Sequence, residues 1–189
     1  LGALVPEATD GLVVADKAIS VSNVANGTTR LQPVVLLTGQ AAGALAALAA
    51  RDGREPRLVP VRDVQRALLG AGAFLLPYVD VPPDHPQFAR IQRVGATGIL
   101  KGKGLPHQWA NHTWFYPDFP IDAATLQKGL LEFEPVAVPV ADGRPLTVGE
   151  AVAMVTDCRA ALLQKDRGRF AALEGKSPPL GQGLWTALG

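Results

Sequence analysis

Residues 26–50, NGTTRLQPVVLLTGQAAGALAALAA, constrain the fold more than any other stretch, because a polar, glycine-containing turn runs directly into a long alanine-rich segment. Pro33 suits a first helical turn, where its missing N–H costs nothing, and Gln32, Thr29 or Thr28 can cap the amides left unpaired there. The turn is therefore expected to present N–H donors. Gly39 and Gly43 lie four apart with Ala42, Ala46, Ala47 and Ala50 nearby, so one helix face has almost no side-chain volume. Such a face suits close backbone approach, and left exposed it is expected to be an association site. Gln40 and Thr38 interrupt the helix and Arg30, Arg51 and Asp52 flank it, which reads as a buried helix rather than a bilayer span.

The chain has 189 residues and 48% apolar content, enough for one ordinary domain or two small ones with a real core. Its net charge is +1 with lysines and arginines scattered singly, so it lacks the basic stripe that phosphate-backbone binding needs, and nucleic acid is not an expected partner. The single cysteine, Cys158, excludes an intrachain disulfide, and no Cys/His spacing resembles a zinc site. No apolar run reaches the roughly 20 residues a bilayer requires. The opening, LGALVPEATDGLVVAD, reads as interior sequence.

The expected fold is mainly α: a short strand and loop with one long helix, then a small multi-helix domain. Leu12–Ala15, an apolar run bounded by Asp10-Gly11 and Asp16, suits a buried strand, and residues 20–29 suit a loop. A strand, loop and helix make half of an α/β unit, and the rest of that sheet is not in the sequence. From Val59 onward proline and glycine punctuate short helices, which places a boundary between Asp52 and Arg62 and divides the chain into residues 1–55, 56–176 and a Pro/Gly tail at 177–189. Val61–Gly70 is amphipathic, with Val64 and Leu68 inward, and Gly70 and Gly72 can stop it. A second helix is expected behind Asp84, with Pro86 in its first turn and Phe88, Ile91 and Val94 on one face, ending at Gly98. After a loop over residues 101–120, a third runs from about Ala123 to Phe133 behind Asp122. Thr147 and Glu150 have capping-box spacing for a fourth, which continues through Lys165. Residues 170–173 suit a last short turn, with Trp185 and Leu188 beyond it placed to dock on the core.

Leu12–Ala15, Ile19-Ser20, Gly27-Thr28-Thr29-Arg30, Pro33 and Gly39-Gln40-Ala41-Ala42-Gly43 occur in the order seen at the carboxy-terminal end of the flavin domain in one bacterial subgroup of FAD-dependent oxidoreductases with the glutathione-reductase type of fold. The first fifty residues resemble that segment. The resemblance implies that the helix amino terminus faces the flavin ring, with Thr29, Arg30, Leu31 and Gln32 beside it and Asp16 near the ribityl or phosphate portion. At Asp16 the subgroup usually has glycine, and at Lys17 arginine. The Gly-x-Gly-x-x-Gly turn that holds the FAD pyrophosphate is absent, so FAD is expected in a longer parent, with the upstream part of that flavoprotein as partner, and not in this stretch alone.

Tyr78-Val79-Asp80-Val81, Phe88–Val94, Gly98-Ile99-Leu100-Lys101-Gly102 and Phe115-Tyr116-Pro117 follow the order of S-layer homology modules, and Leu146–Glu150 repeats the closing step. That resemblance implies a helical accessory module attached to a polysaccharide or a protein partner; the usual Thr-Arg-x-Glu is absent and there is one degenerate copy plus a partial one, which favours a packing role over polymer binding. His107, Trp109, His112, Trp114, Phe115 and Tyr116 crowd one loop. Trp109, Trp114 and Tyr116 are candidates for stacking a sugar, and a loop pinned to the core by its rings explains the same residues. His107, His112 and Asp118 lack the fixed spacing of a metal site, and Cys158 has no nearby base to lower its pKa. Lys101-Gly-Lys-Gly lacks the length and the Ser/Thr of a phosphate loop.

Overall fold

A computed structural model of the protein describes residues 2–135 and 142–171, the side chains of 165–171 excepted. The chain is mainly helical and divides into two compact units, one reaching to Ala73 and the other starting at Phe74. The expected tail at 177–189, with Trp185 and Leu188, lies outside the described residues, as does Leu173.

In the first unit the chain forms α1 (Asn23–Thr29), α2 (Gln32–Asp52) and α3 (Val61–Gly70). Ala42, Leu45, Leu48 and Ala49 recur at helical spacing on α2, and with Leu4, Val59 and Val64 they form the core. Gly53, at φ +59°, ends α2 by donating its N–H to the carbonyls of Ala49 and Ala50. α3 packs on α2 through Val64 and Leu68, so the unit continues past the change of composition at Asp52–Arg62 and closes at Gly72, where φ is +76°.

Two expectations for this unit fail. Leu12–Ala15 is not a strand: Val14 donates to the Leu4 carbonyl at 2.8 Å and no ladder forms. A strand needs a neighbouring strand on its edge, and the segment it meets here is the short 3-10 turn Gly2–Leu4. The segment is held from outside instead, with Arg57 donating to the carbonyls of Pro6, Glu7 and Thr9 and pairing with Asp10, and the Glu55 carboxylate accepting from the Gly11 N–H at 2.7 Å. Residues 23–29, expected as loop, are helical because Ser22 caps them by accepting from the Ala25 N–H.

α2 corrects two more. The face it buries is the Ala42–Leu45–Leu48–Ala49 stripe, and among the described residues a Cβ added at Gly39 or Gly43 would meet nothing within 4 Å. At 21 residues, with a mean hydropathy of 1.6 over its most apolar stretch, α2 is also long and apolar enough to cross a membrane by length and composition, contrary to the sequence expectation.

The second unit contains α4 (Phe88–Gly95), strands β1 (Lys103–His107) and β2 (Ala110–Trp114), α5 (Ala123–Phe133) and α6 (Val148–Ala171). α4 starts later than expected, behind Gln87, and Asp84 does not cap it. Its inward face adds Gln92, fully buried, to Ile91. The expected loop at 101–120 is a β-hairpin with Lys103 opposite Trp114 and His107 opposite Ala110, closed by Gln108 and Trp109. Gln108 adopts φ +53°. That turn carries none of the Asn-Gly or Asp-Gly chemistry that marks a two-residue hairpin, and Pro106 reads as a breaker although it is tolerated at a sheet edge.

α5 begins behind Asp122, whose carboxylate accepts from the Thr125 N–H at 2.7 Å, and it packs on α6. The capping box on α6 is present: Thr147 N–H donates to Glu150 at 2.9 Å and Glu150 N–H to the Thr147 hydroxyl at 3.3 Å. α6 continues through Phe170 to Ala171 without the separate turn expected there.

The Glu150 carboxyl is pulled down to about 2, first by its bond to Arg144 and then by Thr147. Its folded value lies below the reference 4.5, so the stability it contributes is complete above that value and is lost as pH falls from 4.5 through about 2. Glu150→Gln is expected to flatten the acid limb of unfolding across that window and to lower stability at neutral pH. Urea titrations at a series of pH values test this, and an unchanged limb would assign the acid sensitivity to other carboxylates.

Candidate functional site

The turn between α1 and α2 is built from opposed requirements. Thr28 and Thr29, expected to cap α2, instead donate their hydroxyls to the carbonyls of Ala25 and Asn26 within α1. Gln32 is the first residue of α2, and Leu31, at its N-cap, has no side-chain acceptor to offer. Pro33 occupies the first turn as expected. The amino terminus of α2 thus opens without a side-chain cap, and the positive end of its macrodipole is uncompensated by any acidic residue in the first turn.

Thr29 is half-buried, while Arg30, Leu31 and Gln32 are exposed and follow one another around this terminus. Neither Arg30 nor Gln32 enters a side-chain hydrogen bond or ion pair among the described residues. Leu31, at the N-cap, is 58% exposed and Leu36, five residues on, 73%. Leu36, Gly39 and Gly43 lie on one open, apolar side of α2. The arrangement can direct backbone amides at an electron-rich group and admit a flat surface beside the helix.

Asp16 opens the short 3-10 turn Asp16–Ala18, which packs on α2. Its φ is +57°, a left-handed conformation that costs an ordinary L-residue about 1–2 kcal/mol and glycine almost nothing. The position where the resembled flavoproteins usually carry glycine is therefore one whose backbone favours glycine. Asp16→Gly is expected to leave stability within about 0.5 kcal/mol of the parent or to raise it, and Asp16→Val to lower it by about 1–2 kcal/mol. Thermal unfolding of the two variants checks this, and equal melting of both would remove the backbone argument.

The family model described as FAD dependent oxidoreductase matches residues 1–68. The matched segment comprises nearly all of the first unit, including Asp16, the α1–α2 turn and all of α2, and it stops within α3. No curated protein and no solved structure matches the chain.

The residues present fit one portion of an FAD site. An uncapped helix terminus suits the electron-rich edge of a flavin ring, and the left-handed turn at Asp16 suits close backbone approach. The pyrophosphate has no cradle in this sequence, which lacks the Gly-x-Gly-x-x-Gly turn.

The second unit contains the remaining candidates. The hairpin brings Trp114 and Tyr116 together with ring centroids 5.9 Å apart and planes 19° apart, and Phe119 meets Tyr116 edge-on at 5.5 Å. His107 and His112 stack at 4.1 Å. Trp109 stands apart at the hairpin turn, 93% exposed. No group of three metal-ligating side chains occurs among the described residues. Cys158 is buried on α6, and burial followed by the charge of Glu134 pushes its thiol up, away from thiolate reactivity. Asp80, not singled out by sequence reasoning as a structural clamp, accepts from the backbone N–H of Phe115 at 2.9 Å and of Tyr116 at 2.6 Å. Its place in Tyr78-Val79-Asp80-Val81 was the available signal.

Proposed function

We propose that this chain is the carboxy-terminal part of an FAD-dependent oxidoreductase, contributing one wall of the flavin pocket and a helical accessory module. The observation that carries the reading is the family match over residues 1–68, which falls on the segment with the uncapped α2 terminus and the left-handed Asp16.

Bound flavin supplies two-electron redox chemistry. The part played by this chain is electrostatic and steric. The amides at the start of α2 and its dipole favour negative charge at that terminus, a contribution of about 0.3–1 kcal/mol when exposed and more when water is excluded. Thr29, Arg30, Leu31 and Gln32 line the ring side, with the Leu31 side chain excluding water and Arg30 and Gln32 offering donors. The Asp16 turn lies toward the ribityl or phosphate portion. The open Gly39–Gly43 side of α2 is the surface against which the upstream flavin domain packs, and without that domain the same side serves self-association.

Purification of a chain that includes the upstream sequence tests the reading. The longer protein is expected to carry flavin absorbance and the 189-residue chain to take up none. A longer protein that is colourless and ignores added FAD overturns the assignment. Gly43 supplies a sharper contrast, since among the described residues nothing lies within 4 Å of a Cβ added there. Gly43→Ala is expected to stabilise the 189-residue chain by about 0.5–1 kcal/mol through helix propensity. Gly43→Leu in the longer protein is expected to reduce flavin retention by displacing the packed domain.

A further inference from the structure

The β1–β2 hairpin is tied down at one end only. Near Lys103 and Trp114 it is fastened to the segment before α4: Val79 N–H donates to the Thr113 carbonyl at 2.9 Å, and the Asp80 carboxylate accepts from the Phe115 and Tyr116 amides just beyond β2. Toward the turn, His107, Gln108, Trp109, Ala110 and Asn111 are all exposed. Gln108 holds φ +53° there, a left-handed conformation that an L-residue rarely adopts. Besides the strand ladder, this end is held by one local contact. The imidazoles of His107 and His112 stack with centroids 4.1 Å apart and planes 19° apart.

The two rings meet because they are diagonal neighbours in the register. Leu105 stands opposite His112 and Ala110 opposite His107, so both imidazoles leave the same face, as do the side chains of Lys103 and Trp114. Among the described residues neither imidazole has a hydrogen-bond or ion-pair partner, so no acceptor balances a proton on either ring. The other titratable groups around the hairpin supply none. Lys103 shares the face and is itself a cation, and Lys101 is paired with Glu132 of α5. Asp80 is engaged by backbone donors, and Asp118 lies beyond Tyr116, past the fastened end. The phenol rings of Tyr78 and Tyr116 lie against Gly102 and Trp114.

We propose that the His107–His112 stack is an acid-sensitive latch on the outer end of the hairpin: neutral rings hold the two strands together, and two imidazolium ions push them apart and release the Gln108-Trp109 tip. Histidine is the side chain whose charge ordinarily changes between about pH 5 and 8, so the latch works in a physiological window. Neutral rings in contact attract as an aromatic pair, whereas two unit charges about 4 Å apart repel, and Lys103 on the same face adds to the repulsion. The open hairpin, with its rings separated, binds the second proton more readily, so closure weakens as pH falls. The fastened end contains no part of the latch and stays closed. Trp109, 93% exposed at the tip, is the side chain whose position the latch sets. The device is independent of the flavin reading, because both histidines belong to the second unit.

Amide hydrogen exchange of the 189-residue protein at about pH 7.5 and about pH 5.5, corrected for the intrinsic rate at each pH, tests the proposal. Protection at Ala110 and His112 is expected to fall about fivefold on acidification relative to that at Phe115 and Tyr116, the factor that repulsion between two exposed charges at this separation supplies. His107→Phe keeps a flat ring in the stack and removes its charge, so its protection ratio is expected to change by less than about twofold between the two pH values. His112→Phe is expected to do the same from the other strand. An unchanged ratio in the wild-type protein, or a wild-type fall in either phenylalanine variant, would overturn the latch. The two variants lie on different strands, so one decides the matter where circular dichroism shows the other to be unfolded.

Discussion

Gly129→Ala is expected to be among the most damaging single substitutions in the second unit, lowering its stability by about 3 kcal/mol or more. α5 passes so close to the Ile99 backbone that a Cβ at residue 129 would land on the Ile99 carbonyl, 2.7 Å from its carbon. Helix propensity favours alanine over glycine by about 1 kcal/mol in a helix interior, so the two effects oppose each other. The steric one wins because the obstacle is backbone, which can yield only by moving α5 or the 98–102 segment that Lys101 ties to Glu132. Urea unfolding followed by tryptophan emission checks this, since the half-buried Trp114 reports on the second unit. A loss below about 1 kcal/mol would mean that the helix and the loop are not in such close contact.

The second large effect centres on Gln92. It is completely buried on α4, with its Oε1 accepting from the backbone N–H groups of Leu75 and Leu76, each at 2.8 Å, and its Nε2 donating to the Leu76 carbonyl at 2.9 Å. One side chain thus satisfies three backbone groups of the segment that leads into the unit. Gln92→Leu preserves volume and adds apolar surface, worth about 1–2 kcal/mol if burial alone mattered. It also strips partners from two donors and one acceptor, each costing about 1–3 kcal/mol when left unsatisfied. The net expectation is a loss of about 3 kcal/mol, accompanied by faster amide hydrogen exchange at Leu75 and Leu76. Gln92→Glu keeps both acceptor bonds and loses the donor, so its exchange pattern should spare the two N–H groups while stability still falls. Slow exchange at Leu75 and Leu76 in Gln92→Leu would show that the side chain is not their partner.

Elements written in local signals are legible in the sequence itself. Asp122 before an apolar run, Thr147 and Glu150 three apart, and Pro33 ahead of a long helix-compatible run each identify a helix start, because a cap bonds to amides within its own next turn. The segment that matches the FAD-dependent oxidoreductase model is legible for a different reason, an ordered set of glycines and small residues that suits a specific close approach. The hairpin is hidden because Gln108-Trp109 is not a turn dipeptide by composition and Pro106 sits inside β1. The strand expected at Leu12–Ala15 does not form because an apolar run states that a segment is to be buried, not that a pairing edge exists for it.

The candidate site divides along the same line. The sequence by itself determined which residues begin α2 and that one helix face is nearly bare, since propensity, capping and side-chain volume are properties of neighbours along the chain. Only the tertiary structure decided that Thr28 and Thr29 turn their hydroxyls back into α1, that Asp16 is left-handed, and that Ala42, Leu45, Leu48 and Ala49 are buried while Gly39 and Gly43 stay open. Those outcomes depend on which surfaces meet. The buried stripe was chosen by leucine, which removes far more apolar area from water than glycine or alanine can, and among the described residues α3 and the amino-terminal segment cover that side.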